Sequence, residues 1–155
     1  EQLAVVASPW LLKSMPPIHE PADVARFTLI EAGDAHRLPY FELITWRRWF
    51  QVHGLEKLQP RRWLYFNYAQ QIAQAALAGQ GLALARMPLV AQSLASGDLV
   101  EVLPGHRLDS PMAYWLAVGP RSGQRPEIQA FCAWLLLQAE ATRRAIGEAP
   151  AAALS

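Results

Sequence analysis

Apolar residues between Asn67 and Pro88 follow a helical spacing first and a strand pattern afterwards. The helical set recurs at i, i+3, i+4, i+7 and i+8 and consists of Ala69, Ile72, Ala73, Ala76 and Leu77. Asn67 is placed to cap the start of this helix, and Gly79 is placed to end it in the left-handed conformation. The apolar run Leu82–Ala85 then predicts a buried strand. The segment therefore predicts a helix, a Gly-x-Gly turn and a strand, in that order.

This order argues against a dinucleotide-binding fingerprint, in which the glycines follow a strand and open a helix. Gly79 and Gly81 instead follow a helix and precede a strand, so we interpret them as turn and packing residues. A small anion would be met at the other end of the helix, around Asn67 and Tyr68. The free N–H groups of a first helical turn point outward there.

Short apolar runs and short helical patterns alternate along the rest of the chain. The predicted strands are Leu3–Ala7, Thr28–Ile30, Arg62–Phe66, Leu99–Leu103 and Met112–Val118. The predicted helices are a short one after Ser8-Pro9, then Pro21–Phe27, Phe41–His53, Pro88–Ala95 and Pro126–Arg143. Glu31–Tyr40 is predicted to be a loop. Such alternation indicates an α/β domain with a mostly parallel sheet flanked by helices.

Two of the predicted helices have unusual apolar faces. Trp46, Trp49, Phe50 and His53 share one face of the helix Phe41–His53. The last helix is apolar nearly all round, with Trp134 and Leu137 away from its main stripe. We therefore expect those two side chains to meet a missing subdomain or a partner subunit. The alternative is an ordinary exposed tryptophan.

Composition narrows the class of protein. The chain has 155 residues, of which 52% are hydrophobic and 17% charged, so it is expected to form one domain with a real core. The formal charge of +1, without a strong basic run, gives no pull on nucleic acid. No apolar run is long enough to span a bilayer, and no signal peptide is recognised. The single cysteine, Cys132, excludes an internal disulfide and fits a cytoplasmic protein.

Catalytic and metal-binding patterns are not found in the sequence. The four histidines are scattered, and neither a Gly-x-Ser-x-Gly motif nor a P-loop occurs, so no catalytic residue, metal or cofactor is expected. Trp46-Arg47-Arg48-Trp49 and Arg61-Arg62-Trp63 interleave basic and aromatic residues, which suits either base stacking with phosphate contact or core-facing aromatics with solvated arginines. Tyr114 and Trp115 are expected on opposite faces of a strand, one buried and one able to line a cleft.

Short motifs in a fixed order carry a family resemblance. They are Leu3-x-Val5-Val6-x-Ser8-Pro9, Pro21–Ile30, Trp46-x-x-Trp49-Phe50, Ala76-x-Ala78-Gly79-Gln80-Gly81, Pro88-Leu89-Val90, Gly97-x-Leu99-Val100, Tyr114-Trp115-Leu116 and Ala130-Phe131-x-x-Trp134-Leu135. This series resembles the C-terminal effector-binding region of LysR-type transcriptional regulators. It is most similar to the regulators of glycine cleavage and β-lactamase. The resemblance covers about residues 1 to 140.

The resemblance implies a type II periplasmic-binding-protein-like α/β fold of two subdomains, one complete here and the other present in part. Residues of about 8–117 would form the second subdomain, and residues 1–7 and 118–145 the crossover and the returning part of the first. Residues 146–155 are expected to be a disordered tail. The DNA-binding domain of the family would lie outside this chain.

The resemblance also implies a site and a role. Ligand contacts are expected in the cleft at Asn67, Tyr68, Ala69 and Tyr114, with Arg86 as a weaker candidate. The expected partners are a small-molecule effector, further copies of the chain in a homodimer or tetramer, and DNA only through the missing N-terminal domain; no membrane is expected. The alternatives are a solute-binding protein of periplasmic type or an enzyme on the same fold.

Overall fold

The computed structural model describes residues 1–33 and 41–148 of the chain. Two compact units follow one another and are divided between Pro111 and Met112. Residues 34–40 of the predicted loop Glu31–Tyr40 and residues 149–155 of the predicted tail 146–155 lie outside the described residues. The loop prediction was wrong at Glu31 and Ala32, which belong to a strand. Within residues 1–33 and 41–148, no helix is long and apolar enough to cross a membrane.

The first unit contains one sheet and a set of short helices in its described part. Its strands are β1 (Gln2–Ala7), β2 (Thr28–Ala32), β3 (Arg62–Phe66), β4 (Leu82–Arg86), β5 (Val100–Glu101) and β6 (Leu108–Asp109). Its α-helices are α1 (Pro9–Lys13), α2 (Trp46–Val52), α3 (Ala69–Leu77) and α4 (Met87–Ser96). Short 3₁₀ helices occupy Pro21–Arg26 and Phe41–Ile44. The single predicted helix Phe41–His53 was therefore wrong, because the extended residue Thr45 caps α2 and separates it from the second 3₁₀ helix. The α/β class is therefore confirmed.

The sheet is mixed rather than mostly parallel, so the predicted strand direction was wrong. Its strand order is β3-β2-β4-β1-β5, and β6 also pairs with β1. β2 runs parallel to β3 and β4, whereas β1 runs antiparallel to β4, β5 and β6. Alternating helices and strands do predict parallel neighbours where a helix makes the crossover. They do not reveal that β1 enters the middle of the sheet in the opposite direction.

Local capping signals place most helix ends as predicted. The N–H of Leu11 donates to Ser8 Oγ at 3.3 Å, so Ser8 caps α1. Gly79 follows α3 with a φ of +70°, a conformation that favours glycine. The predicted cap Asn67 was wrong, because Tyr68 is the N-cap residue of α3 and its N–H donates to Gln71 Oε1 at 3.3 Å. The side chain of Gln71 thus provides an acceptor for the backbone N–H of Tyr68, in the turn between β3 and α3.

The aromatic face of α2 is buried, as its spacing predicts. The rings of Trp46 and Trp49 pack edge to face with centroids 5.4 Å apart, and both side chains are fully buried. Trp46 Nε1 donates to the carbonyl of Ile30 at 3.0 Å, and Trp49 Nε1 donates to the carbonyl of His106 at 2.7 Å. The intervening Arg47 and Arg48 are exposed. This segment is therefore a core element with solvated arginines.

His53 packs between Trp49 and His106 at the C-terminal end of α2. Its ring centroid lies 4.4 Å from that of Trp49 and 5.1 Å from that of His106. Burial lowers the pKa of His53 below its ordinary 6.5; a hydrogen bond to the backbone of His106 opposes this shift, and the charge of His106 adds to it. His53 therefore binds a proton more readily in the unfolded chain than in the folded protein. The free energy of unfolding is therefore expected to fall as the pH drops through 6.5 toward the lower folded-state pKa.

Thermal unfolding followed by circular dichroism at about pH 7.5 and about pH 5.5 measures this dependence. In His53→Gln, which has no proton to bind at this position, the melting temperature should fall less over the same interval. An equal fall in His53→Gln and the natural protein would contradict the assignment to His53.

In the second unit the predicted strand Met112–Val118 is wrong, because these residues form neither a strand nor a helix. Tyr114 and Trp115 are both well exposed there. The last helix, α5 (Pro126–Ala145), is confirmed, and residues 146–148 form its C-terminal turn. Within α5 no residue is buried, and its large exposed apolar residues are Phe131, Trp134, Leu136 and Leu137. A partner for this face stays a prediction.

Candidate functional site

A cavity of about 120 Å³ opens in the first unit where the parallel strands β2, β3 and β4 end. Ligands of open α/β sheets bind beyond the carboxyl ends of the strands, since the connecting loops and helix N-termini meet there. Apolar side chains from β1, β2, α3 and α4 make most of the wall. The polar residues of the lining are Glu31, Asn67 and Arg86.

The N-terminus of α3 forms one side of this cavity. Ala69, the first residue of α3, lines the cavity, and Ile72 and Ala73 continue the wall one turn later. The N–H groups of Ala69 and Gln70 have no acceptor within a helix that starts here. They add partial positive charge to this side of the cavity. The wall is thus apolar along the helix and polar at its start.

Arg86 ends β4 and forms an ion pair with Glu1. Its Nε donates to Glu1 Oε1 at 2.6 Å, and the carboxylate of Glu1 is buried while the guanidinium is partly exposed. The antiparallel register that pairs Leu3 with Arg86 brings the start of β1 to the end of β4. The pair therefore places the guanidinium in the lining of the cavity, next to the carboxylate of Glu1.

Glu31 is the polar lining residue that the sequence did not single out. Its side chain is only 6% exposed, and its Oε1 accepts the N–H of Trp46 at 2.8 Å. The carboxylate thus fastens β2 to the start of α2. A signal was present in the sequence, since Glu31 directly follows the apolar run Thr28–Ile30 at the end of a predicted strand.

The structure brings together three of the five residues expected at the site. Asn67, Ala69 and Arg86 line the same cavity. Tyr68 is 68% exposed and is not among the lining residues. Tyr114 belongs to the second unit, where its side chain is 63% exposed.

The family profile described as "LysR substrate binding domain" matches residues 1–140 of the chain. The chain belongs to the LysR family, as a substrate-binding domain. Its resemblance to LysR-type regulators, predicted from the ordered motifs, is therefore confirmed. So is its role as an effector-binding domain.

Curated relatives in the LysR family are transcriptional activators. The chain is 30% identical over 141 residues to the glycine cleavage system transcriptional activator of Escherichia coli K12, covering 91% of this chain and 43% of the relative. It is 30% identical over 149 residues to the transcriptional activator AmpR of Pseudomonas aeruginosa, covering 93% and 47%. The chain thus spans less than half the length of these relatives.

A solved structure supports the fold. The effector domain of AmpR from Pseudomonas aeruginosa superposes with a TM-score of 0.62 at 26% identity, over 92% of this chain and 62% of that one. The expected fold of a LysR effector domain, of the type II periplasmic-binding-protein-like class, is confirmed by this likeness.

Proposed function

We propose that this effector-binding domain serves a cytoplasmic LysR-type transcriptional regulator and has no enzymatic activity of its own. A small metabolite would bind at the cavity beyond the ends of β2, β3 and β4 and shift the domain between two states. The juxtaposition of Arg86, Asn67 and the start of α3 at one cavity carries this proposal. The names of the relatives favour a regulator over a periplasmic solute-binding protein or an enzyme.

The chemistry of the cavity favours a small carboxylate as the effector. The guanidinium of Arg86 and the N–H groups of the first turn of α3 both attract an anion. The two nearby carboxylates are already engaged, Glu1 with Arg86 and Glu31 with the N–H of Trp46. The amide of Asn67 adds a donor and an acceptor, and the rest of the lining is mainly apolar. A volume of about 120 Å³ suits a compact molecule with a short apolar body.

The domain organisation expected from the sequence is part of the proposal. Residues of about 8–117 are assigned to the second subdomain, and residues 1–7 and 118–145 to the crossover and part of the first. The exposed apolar residues of α5 would then pack against the remainder of the first subdomain. Tyr68 and Tyr114 stay predicted ligand contacts.

Homodimers or tetramers through this domain, and DNA through a separate N-terminal domain, are the proposed macromolecular partners. DNA binding is tested by gel mobility shift with the full-length protein and its own promoter region. A change in that shift when the effector is added would support signalling from this domain. An effector that binds without changing either DNA affinity or transcription would contradict the regulatory role.

Ala69→Asp is expected to weaken the binding of a carboxylate effector at least about tenfold, because it places a negative charge at the cavity. The same substitution should not destabilise α3, since an acidic residue in the first turn interacts favourably with the helix dipole. Isothermal titration calorimetry with a panel of amino acids and small organic acids measures the affinity.

Ala69→Asn is the matched control, because it adds a side chain of the same size without the charge. It should bind the carboxylate more tightly than Ala69→Asp does. Equal affinities in the two variants would show that charge at this position does not matter and would overturn the carboxylate assignment.

A further inference from the structure

A second cavity, of about 380 Å³, lies on the α2 side of the sheet. Residues of β2 and β3 that pair in the sheet point to a common face, and Glu31 pairs with Tyr65 while Leu29 pairs with Trp63. Phe50 and Gln51 of α2 also line this cavity. Glu31 is the one residue that the described linings of both cavities share. Because all other lining residues differ, the two cavities are separate sites.

Two aromatic rings form one wall of this second cavity. Trp63 and Tyr65 stand two residues apart on β3, so both side chains project from the same face. Their rings are nearly parallel, with an angle of 17° and centroids 6.0 Å apart. Tyr65 is 51% exposed, which leaves much of its ring open to a ligand. The wall thus contains a stacked aromatic pair in which the ring of Tyr65 is half exposed.

The charged groups around these rings are mainly acidic. The carboxylate of Glu31 is buried beside Tyr65, Glu56 is an exposed residue of the same lining, and Arg47 supplies one cation. Their formal charges sum to one negative charge. Burial, followed by the charge of Glu31, raises the pKa of Tyr65, so the phenol is neutral at physiological pH. Gln51 and Gln59 add neutral donors and acceptors.

We propose that this second cavity binds a small organic cation, an alkylammonium or guanidinium group, against Trp63 and Tyr65. A cation over an aromatic face is attracted by the negative charge of the ring's π system. The carboxylates of Glu31 and Glu56 add attraction of the same sign, whereas an anion would be repelled. The proposal does not depend on the function assigned to the first cavity, whose lining shares Glu31 but has Arg86 and no aromatic pair like Trp63 and Tyr65.

Choline and its neutral isostere 3,3-dimethylbutan-1-ol test this proposal, because they share one shape and differ in charge. The indole N–H signal of Trp63, assigned by its loss in Trp63→Phe, reports binding in ¹H–¹⁵N NMR titrations of the purified protein. Choline is expected to shift this signal and to bind at least about threefold more tightly than the neutral alcohol. Equal affinities of the two probes would overturn the proposal.

Three variants locate the cation. Tyr65→Leu is expected to weaken choline binding about three- to fivefold, while Tyr65→Phe, which keeps the ring, should leave it unchanged. Arg47→Gln should strengthen binding, because it removes the like charge from the lining. Unchanged affinity in both Tyr65→Leu and Arg47→Gln, or choline-induced shifts at Asn67 and Ala69 in place of Trp63, would contradict the assignment.

Discussion

Replacing Trp49 by alanine is expected to lower the free energy of unfolding by about 3–5 kcal/mol, the cost of deleting a fully buried aromatic side chain. The indole contacts the rings of Trp46, Phe50 and His53, so the variant loses contacts on several sides. It also loses the hydrogen bond of 2.7 Å to the carbonyl of His106. Urea unfolding followed by far-ultraviolet circular dichroism measures the difference.

Trp49→Phe separates the contribution of aromatic packing from that of the hydrogen bond to the carbonyl of His106. It keeps an aromatic ring and removes the donor to His106, so an intermediate loss is expected. Trp115→Ala serves as the control, because Trp115 is 76% exposed and surface substitutions usually change stability by less than about 0.5 kcal/mol. If Trp49→Ala unfolded at the same urea concentration as Trp115→Ala, the buried position of Trp49 would be wrong.

Gly81→Ala is expected to destabilise the protein by about 1–3 kcal/mol or more, as overpacking of a dense interior does. A Cβ atom at Gly81 would lie 2.4 Å from the carbonyl oxygen of Thr28 and 3.2 Å from a side-chain carbon of Ile30. The nearest atom belongs to the backbone of β2, so relief requires β2 and β4 to separate. These strands pair directly at Leu29 and Leu82.

Gly119→Ala is the matched control for Gly81→Ala. A Cβ atom there meets only Ser122 Oγ at 3.8 Å, an ordinary van der Waals contact. Thermal unfolding of the two variants should therefore show a clear loss for Gly81→Ala and little change for Gly119→Ala. Equal melting temperatures would indicate that β2 and β4 are not packed closely at Gly81.

Helix positions were predictable because their signals are local. A cap such as Ser8 satisfies an N–H three residues later, and a left-handed glycine such as Gly79 ends a helix at its own position. The 3.6-residue spacing of Trp46, Trp49 and Phe50 likewise requires only that one face of the helix be buried. Each of these features depends on residues within about one or two turns.

Strands were predicted less accurately than helices, because a strand forms only when it hydrogen-bonds to a neighbouring strand. Met112–Val118 has an apolar composition similar to that of β1, yet it forms no strand. Backbone hydrogen bonds in a sheet come from neighbouring strands, which a single run of residues does not specify. For the same reason the direction of β1 relative to β4 was not visible in the sequence.

The candidate site was predicted in part. The free N–H groups at the start of α3 pointed to Asn67, the family resemblance added Ala69, and Arg86 was a weaker candidate because it follows a buried strand; all three line the cavity. Glu31 was missed because its role arises from the N–H of Trp46, 15 residues away in the sequence. Tyr68 is 68% exposed and is not among the residues that line this cavity, so its role as a ligand contact stays a prediction.

By itself the sequence determined the α/β class, the family, most helix limits and the buried aromatic face of α2. The class, the helix limits and the aromatic face follow from spacing and capping, which act between neighbours along the chain, whereas the family came from the resemblance of the ordered motifs. The tertiary structure decided the mixed sheet, the cavity beyond its parallel strands and the aromatic cavity on the α2 side. Those features need residues such as Glu1 and Arg86, or Glu31 and Tyr65, to meet across the sheet. Strand order and direction decide which distant residues come into contact, and both depend on long-range hydrogen bonding and packing.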